Sequence, residues 1–476
     1  MIGKEGALSL LRAGTAASRG DRTVMTLLAR DAALTRLENN EIGENIVGSR
    51  TLVMARVEAG GWLGWASTSD ATVAGVRILA ERAYQSAIQG RLAPATAPAT
   101  APDAPPNAPP DATPVARQVH DPFSPATARL AVEGARERAD DLATVAVRAR
   151  RKGLAAAGGY SVSALEMAVA TVSLRGGAGQ SSDDYHRATR VAVWSRVSDP
   201  GSVAGSPASA YSQDARDIDI TVLAEQAIAR CQATRGQAGR LAGGRYDVVL
   251  EPAATRRLFL SLRRLPPTAR RQVTASGAVT LVDDPSDPWG AAQAFDFEGA
   301  AKGPLTLIAG GTPRHTISDQ AWHMTLLPGG ATGTGAARGT DGIGTPHGAG
   351  DLLFSAGTAE LVAKVERGLL VTRLGPVQLL DGQTGLVATA ILGSAFFIEG
   401  GRAVRPVAGL LWRQSLYDVL QDVREVGGVP HLFLGAVENP AGDPVDDPRR
   451  NLLAAANYAG GRFPAVLIGG ADFTDR

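Results

Sequence analysis

The residues able to do chemistry are few, and their spacing argues against most chemistries. The chain has six histidines, His120, His186, His315, His323, His347 and His431, and one cysteine, Cys231. A zinc site needs about three His, Cys, Asp or Glu donors converging on one point. No two of these histidines are spaced to share a helical face, so the H-E-x-x-H arrangement is absent. His347 and Asp351 are four apart, but Gly348 and Gly350 between them favour a loop. A cysteine nucleophile needs a nearby His or cation to form thiolate. The sequence offers Cys231 no such activating partner, and its Ala-rich helix reads as a buried position. Asp283, Asp284, Asp296 and Glu298 put several carboxylates in one stretch, as a glycosidase-like acid and base pair would require. Turns with Asx caps are the plainer reading. The Gly-rich run 329–350 lacks the G-x-x-x-x-G-K-[ST] of a phosphate loop. Its Gly333-Thr334-Gly335 is followed by Arg338 where a dinucleotide fold needs glycine. It reads as a loop that is flexible or lines a substrate site.

The elements that must position these residues fall into two groups. Residues 6–17 read as an amphipathic helix, followed by strand-like runs at 23–30, 34–38 and 51–58. Gly60-Gly61 marks a hairpin, and Asp70 opens a helix running to about 89. Residues 93–114 form a Pro/Ala tract that cannot bury a core and reads as a linker or surface loop. A helix over 126–152, strands over 163–173 and 186–196, and a helix over 218–233 follow. Leu79-Ala80-Glu81-Arg82-Ala83 and Leu223-Ala224-Glu225-Gln226-Ala227 end two similar stretches, each after a strand pair, a Gly turn and an Ala-Ser step. That points to a duplication. From Tyr246 the chain turns to short alternating runs, at 246–250, 279–282, 305–308, 369–374, 385–392 and 394–398. Helices are expected from Glu251-Pro252 to about 265 and over 414–426. The class is α+β: an N-terminal α/β domain (1–240) of two related units, and a C-terminal, mostly antiparallel β domain with helices (241–476).

Composition excludes several functions. Forty-eight basic residues face 47 acidic ones over 476 residues, so charge offers no case for nucleic acid or an anionic membrane. Only Lys4, Lys152, Lys302 and Lys364 are lysines, the bias of a GC-rich bacterial genome. A single cysteine allows no internal disulfide and fits a reducing, cytoplasmic setting. The first residues do not read as a signal peptide, and no apolar run is long enough to span a membrane.

Several stretches resemble the TldD/PmbA metallopeptidase family, also described as modulators of DNA gyrase. Thr35-Arg36-Leu37-Glu38-Asn39-Asn40-Glu41-Ile42 resembles its T-R-x-x-N-N-x-I strand and turn, and residues 61–67 resemble its G-x-x-G-x-A-S hairpin. Residues 246–252 resemble the strand opening its C-terminal domain. Asp283-Asp284-Pro285 and Phe295-Asp296-Phe297-Glu298-Gly299 resemble segments of its PmbA branch, and residues 368–372, 396–400 and 405–407 resemble its closing strands.

The resemblance implies a pair of chains. One is a zinc peptidase, with H-E-x-x-x-H on the helix after the first C-terminal strand and a Cys ligand near the end. Here that helix reads Arg257-Leu258-Phe259-Leu260-Ser261-Leu262-Arg263, and 432–476 holds no cysteine. Leu and Phe carry no lone pair for zinc. The resemblance therefore implies the PmbA/TldE-like subunit, without catalytic or metal residues of its own. Zinc is expected in a TldD-like partner, and a peptide or peptide-like substrate is enclosed between the two. Its substrate-binding residues are not readable; general proteolysis and antibiotic biosynthesis both stay open. A homo-oligomeric binding or scaffold protein without a peptidase partner is the alternative. A hydrolase working through Asp283, Asp284, Asp296 and Glu298 is a third reading.

Overall fold

Thr23 to Leu37 alternate between two buried faces, and in the computed structural model they belong to one uninterrupted strand, β1 (Arg22–Glu38). Two runs were expected here, 23–30 and 34–38, with a break over 31–33. Instead Asp31 stays in the strand, its carboxylate 3.1 Å from the Met1 amino group. The structure describes residues 1–89, 121–174, 180–200, 205–235, 239–266, 273–284, 287, 295, 299, 304–315, 324–326, 355, 357–391, 395–433 and 461–475. The Pro/Ala tract and the Gly-rich run 329–350 lie outside these.

Helix α1 (Lys4–Ala17) precedes β1, and β2 (Glu41–Ala59), β3 (Trp62–Thr68) and α2 (Val73–Ile88) follow it. Then come α3 (Pro125–Val132), α4 (Ala135–Arg151), β4 (Ala155–Ser173), β5 (Gln180–Ser198), β6 (Ser206–Ser212) and α5 (Ile220–Ala233). The six strands form one antiparallel sheet in the order β3-β2-β1-β4-β5-β6. Each unit thus runs long strand, long strand, seven-residue strand, helix, and the duplication expected from the sequence is visible in the fold. β4 and β5 each have 19 residues, a length of roughly 60 Å at about 3.3 Å per residue.

The period of two sorts the side chains by face. Met25, Leu27 and Ala29 pack under α1 and α2, while Ala33 and Leu37 pack under α3, α4 and α5. Val24, Leu28, Leu165, Met167 and Val169 point the other way and meet Phe295. The sheet is therefore covered on both sides, which explains its nearly continuous hydrophobic runs.

Gly60 and Gly61 take φ of 55° and 83° in the β2–β3 turn, as a tight hairpin with two left-handed residues needs. Asn39 and Asn40 do the same between β1 and β2, at 48° and 66°. Asn40 also clamps the start of β4: its Oδ1 accepts from Ala156 N at 2.8 Å and its Nδ2 donates to Leu154 O at 3.0 Å. The single helix expected over 126–152 is two. Gly134 separates them, where a Cβ would lie 2.5 Å from Leu130 Cδ2. Arg138, buried in α4, reaches back to Leu130 O and donates to Thr35 Oγ1 (3.1 Å) and Asn45 Oδ1 (2.8 Å). Asp70 is not the cap of α2. Thr72 is, accepting from Gly75 N at 3.0 Å, with Asp70 bracing Thr72 N.

Among the described residues, the C-terminal sheet has ten strands. It starts with β7 (Gly239–Arg240) and β8 (Gly244–Leu250). β8 lies between the antiparallel strand Val466–Asp475 and the parallel strand Arg367–Val371. A second parallel contact joins β7 to Arg402–Ala408; the other pairings are antiparallel. Helix α6 (Pro252–Ser261) follows β8, and Leu258, Phe259 and Leu262 bury into the core below it. The helix expected over 414–426 is corrected. Leu410–Ser415 is a strand, Leu416–Gln421 a short helix and Val423–Val426 a strand pairing with Val466–Asp475. Ser415 starts the helix by accepting from Tyr417 N. Val419, Leu420, Val423 and Val426 are all buried, an apolar spacing that suits a helix and continues into a strand.

Candidate functional site

The apolar strand β8 ends in a charge. Glu251 follows Leu250 and is almost fully buried, immediately before Pro252 begins α6. Its backbone N–H donates to Val371 O at 3.0 Å, so the carboxyl ends of two parallel strands sit side by side. Its Oε1 accepts from Ser355 N at 2.8 Å and from Arg230 Nη2 at 3.0 Å. Arg230 comes from α5 and also donates Nη1 to Pro207 O at 3.0 Å. The side chains of this ion pair are 8% and 2% exposed. It joins the N-terminal sheet layer to the C-terminal sheet at a point closed to water, where neither charge can be left alone cheaply.

A cavity of about 850 Å³ opens beside this contact. The ends of β1, β4, β5 and β6 wall it on one side; α6, Thr372, Arg373 and residues 431–433 wall it on the other. An aromatic run braces the second wall: Tyr211 of β6 lies 5.4 Å from Phe433, Phe433 6.4 Å from Phe463, and Phe463 6.3 Å from Phe259 of α6. The Arg256 guanidinium sits 5.3 Å above the Phe433 ring, a cation–π arrangement. Burial lowers the pKa of Arg256. Arg257 is pushed the same way, by burial first and then by the charges of Arg373, Arg256 and Arg264.

The donors at α6 do not fit zinc. Its cavity-facing side presents Pro252, Ala253, Arg256 and Arg257, none with a lone pair for a metal. Among the described residues, no three His, Cys, Asp or Glu side chains come together as a metal set. Cys231 is buried in the core under α4 and α5, and burial raises its thiol pKa. Asp283 ends the strand Leu281–Asp283 and Asp284 follows it; neither lines the cavity. The carboxylate in that stretch with a buried role is Asp287, 2.7 Å from Arg462 Nε. Asp296, Glu298, His347 and Asp351 lie outside the described residues.

Sequence reasoning passed over the residues that make this cavity: Arg230, Glu251, Arg256, Arg257 and Arg373. One signal was available. Glu251 closes an otherwise apolar strand, and the Arg256-Arg257 pair interrupts an otherwise apolar helix.

Residues 268–474 match the model of the PmbA/TldA metallopeptidase C-terminal domain. The C-terminal part of the chain is thus similar to that domain of the PmbA/TldA metallopeptidases. The matched stretch begins after α6, so the comparison of α6 with the family's zinc helix rests on its place behind β8. Over the whole length the fold is that of TldE from Thermococcus kodakarensis, with a TM-score of 0.67 at 16% identity over 98% of this chain and 100% of that one. A proposed modulator of DNA gyrase from Bacteroides thetaiotaomicron matches at TM-score 0.65 and 15% identity over all of both chains. Another from Thermotoga maritima matches at 0.65 and 12%, over 95% of this chain and 96% of that one. The comparison with curated proteins finds no match. Among the described residues, no helix is long and apolar enough to cross a membrane.

Proposed function

We propose that this chain is the metal-free partner in a two-chain zinc peptidase of the TldD/PmbA type, and that the pair encloses an extended peptide or peptide-like substrate. The observation supporting the reading is α6. The helix behind β8, where the resemblance would put H-E-x-x-x-H, carries arginines and apolar residues toward the cavity. Zinc-dependent hydrolysis needs a polarised carbonyl, an activated water and a general base, and these belong to the other chain. This chain contributes a wall: the strand ends of the N-terminal sheet, α6, and the Arg230–Glu251 contact that holds them together. Such a wall positions a substrate and excludes folded proteins. A single buried cysteine agrees with a cytoplasmic setting. Antibiotic biosynthesis is one setting that the proposal accommodates.

Coexpression with a zinc-bearing homologue tests the partnership. The two chains should elute together through gel filtration, because a stable complex of this kind buries on the order of 1,200 Å² or more, and the zinc should follow the partner. Separate elution, or one tight zinc per chain in this subunit alone, would overturn the reading.

A further inference from the structure

The cavity wall is strongly unbalanced in charge. Among the described residues, six arginines line it, Arg36, Arg196, Arg230, Arg256, Arg257 and Arg373, against two carboxylates, Glu38 and Glu251. Glu251 is taken by Arg230 at 3.0 Å, and Arg36 lies 3.2 Å from Glu44. Arg256 is stacked on Phe433. Arg257 and Arg373 have no carboxylate within ion-pair distance among the described residues, though both face the cavity.

Their placement follows from the sheet. β8 and Arg367–Val371 are parallel, with Leu250 and Val371 in register. The chain leaving each strand therefore emerges at the same edge. One exit leads into α6 and Arg257, the other directly to Arg373. Ligands of open sheets bind outside the carboxyl ends of parallel strands. Guanidiniums stay charged and present planar forks of donors suited to carboxylate oxygens. Gathering them at a half-enclosed wall raises the local potential and is relieved by an anion; the downward push on Arg257 from Arg373 and Arg256 has the same origin.

We propose that Arg257 and Arg373 form a carboxylate clamp that anchors an acidic group of the peptide in the cavity. This rests on the cavity being the substrate wall of the family pair. The anchoring group is a free C-terminal carboxylate or an Asp or Glu side chain, which share the same chemistry.

The test uses the full chain and three fluorescein-labelled tetrapeptides, read by anisotropy at low ionic strength. One ends in a free carboxylate, one is its amide, and one is the amide with glutamate at the penultimate position. The free acid should bind about tenfold or more tighter than the neutral amide, the scale of charge-assisted hydrogen bonds to a carboxylate. Salt should narrow the gap. Tight binding of the glutamate peptide assigns the clamp to acidic groups in general; weak binding assigns it to the chain end. Arg257→Gln and Arg373→Gln should each collapse the preference toward unity with the amide's affinity unchanged. Arg373 is exposed, so its variant carries little folding risk. Arg264→Gln, outside the lining, should keep the preference. Equal affinity for acid and amide, binding of none of the peptides, or a preference that survives both substitutions would overturn the clamp. Coelution with the partner is a separate readout, so failure of the clamp and failure of the partnership are distinguishable.

Discussion

The two units of the N-terminal sheet share their plan and differ in what their helices touch. In α2, Leu79, Ala80 and Ala83 are buried against the sheet; in α5, Leu223, Ala224 and Ala227 occupy the same places. Glu81 pairs with Arg19, and its counterpart Glu225 pairs with Arg148. One turn later the copies part. The first has Ser86, and the second has Arg230, which crosses to Glu251. The shared positions hold a helix on a sheet, and the divergent one attaches the sheet to the rest of the molecule. Duplication thus supplies a scaffold, and Arg230 in one copy gives that scaffold a second surface to hold.

The largest test of this contrast is Arg230→Met. It strands the Glu251 carboxylate in a buried site and should cost about 3–5 kcal/mol, read as a shift in the urea midpoint. Ser86→Ala, the matching change in the first unit, should stay within about 0.5 kcal/mol. Equal effects would mean that the crossing ion pair contributes nothing particular. Next comes Gly64 in β3, where a Cβ would stand 2.0 Å from Ala83 O and 2.3 Å from Ala87 N. Gly64→Ala must push α2 off the sheet, at about 1–3 kcal/mol for overpacking. A neutral result in thermal unfolding would show that α2 is not seated so closely.

Smaller again is Asn40→Gly. It keeps the left-handed turn but loses the two side-chain bonds to Leu154 and Ala156, for about 1–2 kcal/mol in the same assay. The matched change Asn39→Gly, with no such clamp, should cost less. Least of all, replacing 95–110 by a short Gly/Ser linker should leave the melting temperature within about a degree, since an extended Pro-rich stretch orders little apolar surface. A drop of several degrees would mean that the tract packs against something.

The class, the duplication and the Gly60-Gly61 turn were legible because each is local: a period of two, a repeated helix end, a pair of residues that tolerate positive φ. The break over 31–33, the single helix over 126–152 and the helix over 414–426 were misread because partners distant in sequence decide them. Asp31 is accommodated by the Met1 amino group, Arg138 closes back over a glycine bend, and Val423–Val426 finds an edge at Val466–Asp475. The cavity was the least legible part. Its arginines come from β1, β5, α5, α6 and the strand exit at Arg373, and only the parallel register of β8 with Arg367–Val371 brings the last two together.

The most direct test of the central claim is peptide hydrolysis by the reconstituted pair with the partner's general-base glutamate replaced by glutamine. This chain purified alone should hydrolyse nothing, the intact pair should be active, and the pair with the substituted partner should be silent. Asp283→Ala, Asp284→Ala, Asp296→Ala and Glu298→Ala in this chain should leave the intact pair active. Turnover that persists without the partner's glutamate, and disappears when one of these carboxylates is removed, would contradict the account and make this chain a hydrolase in its own right.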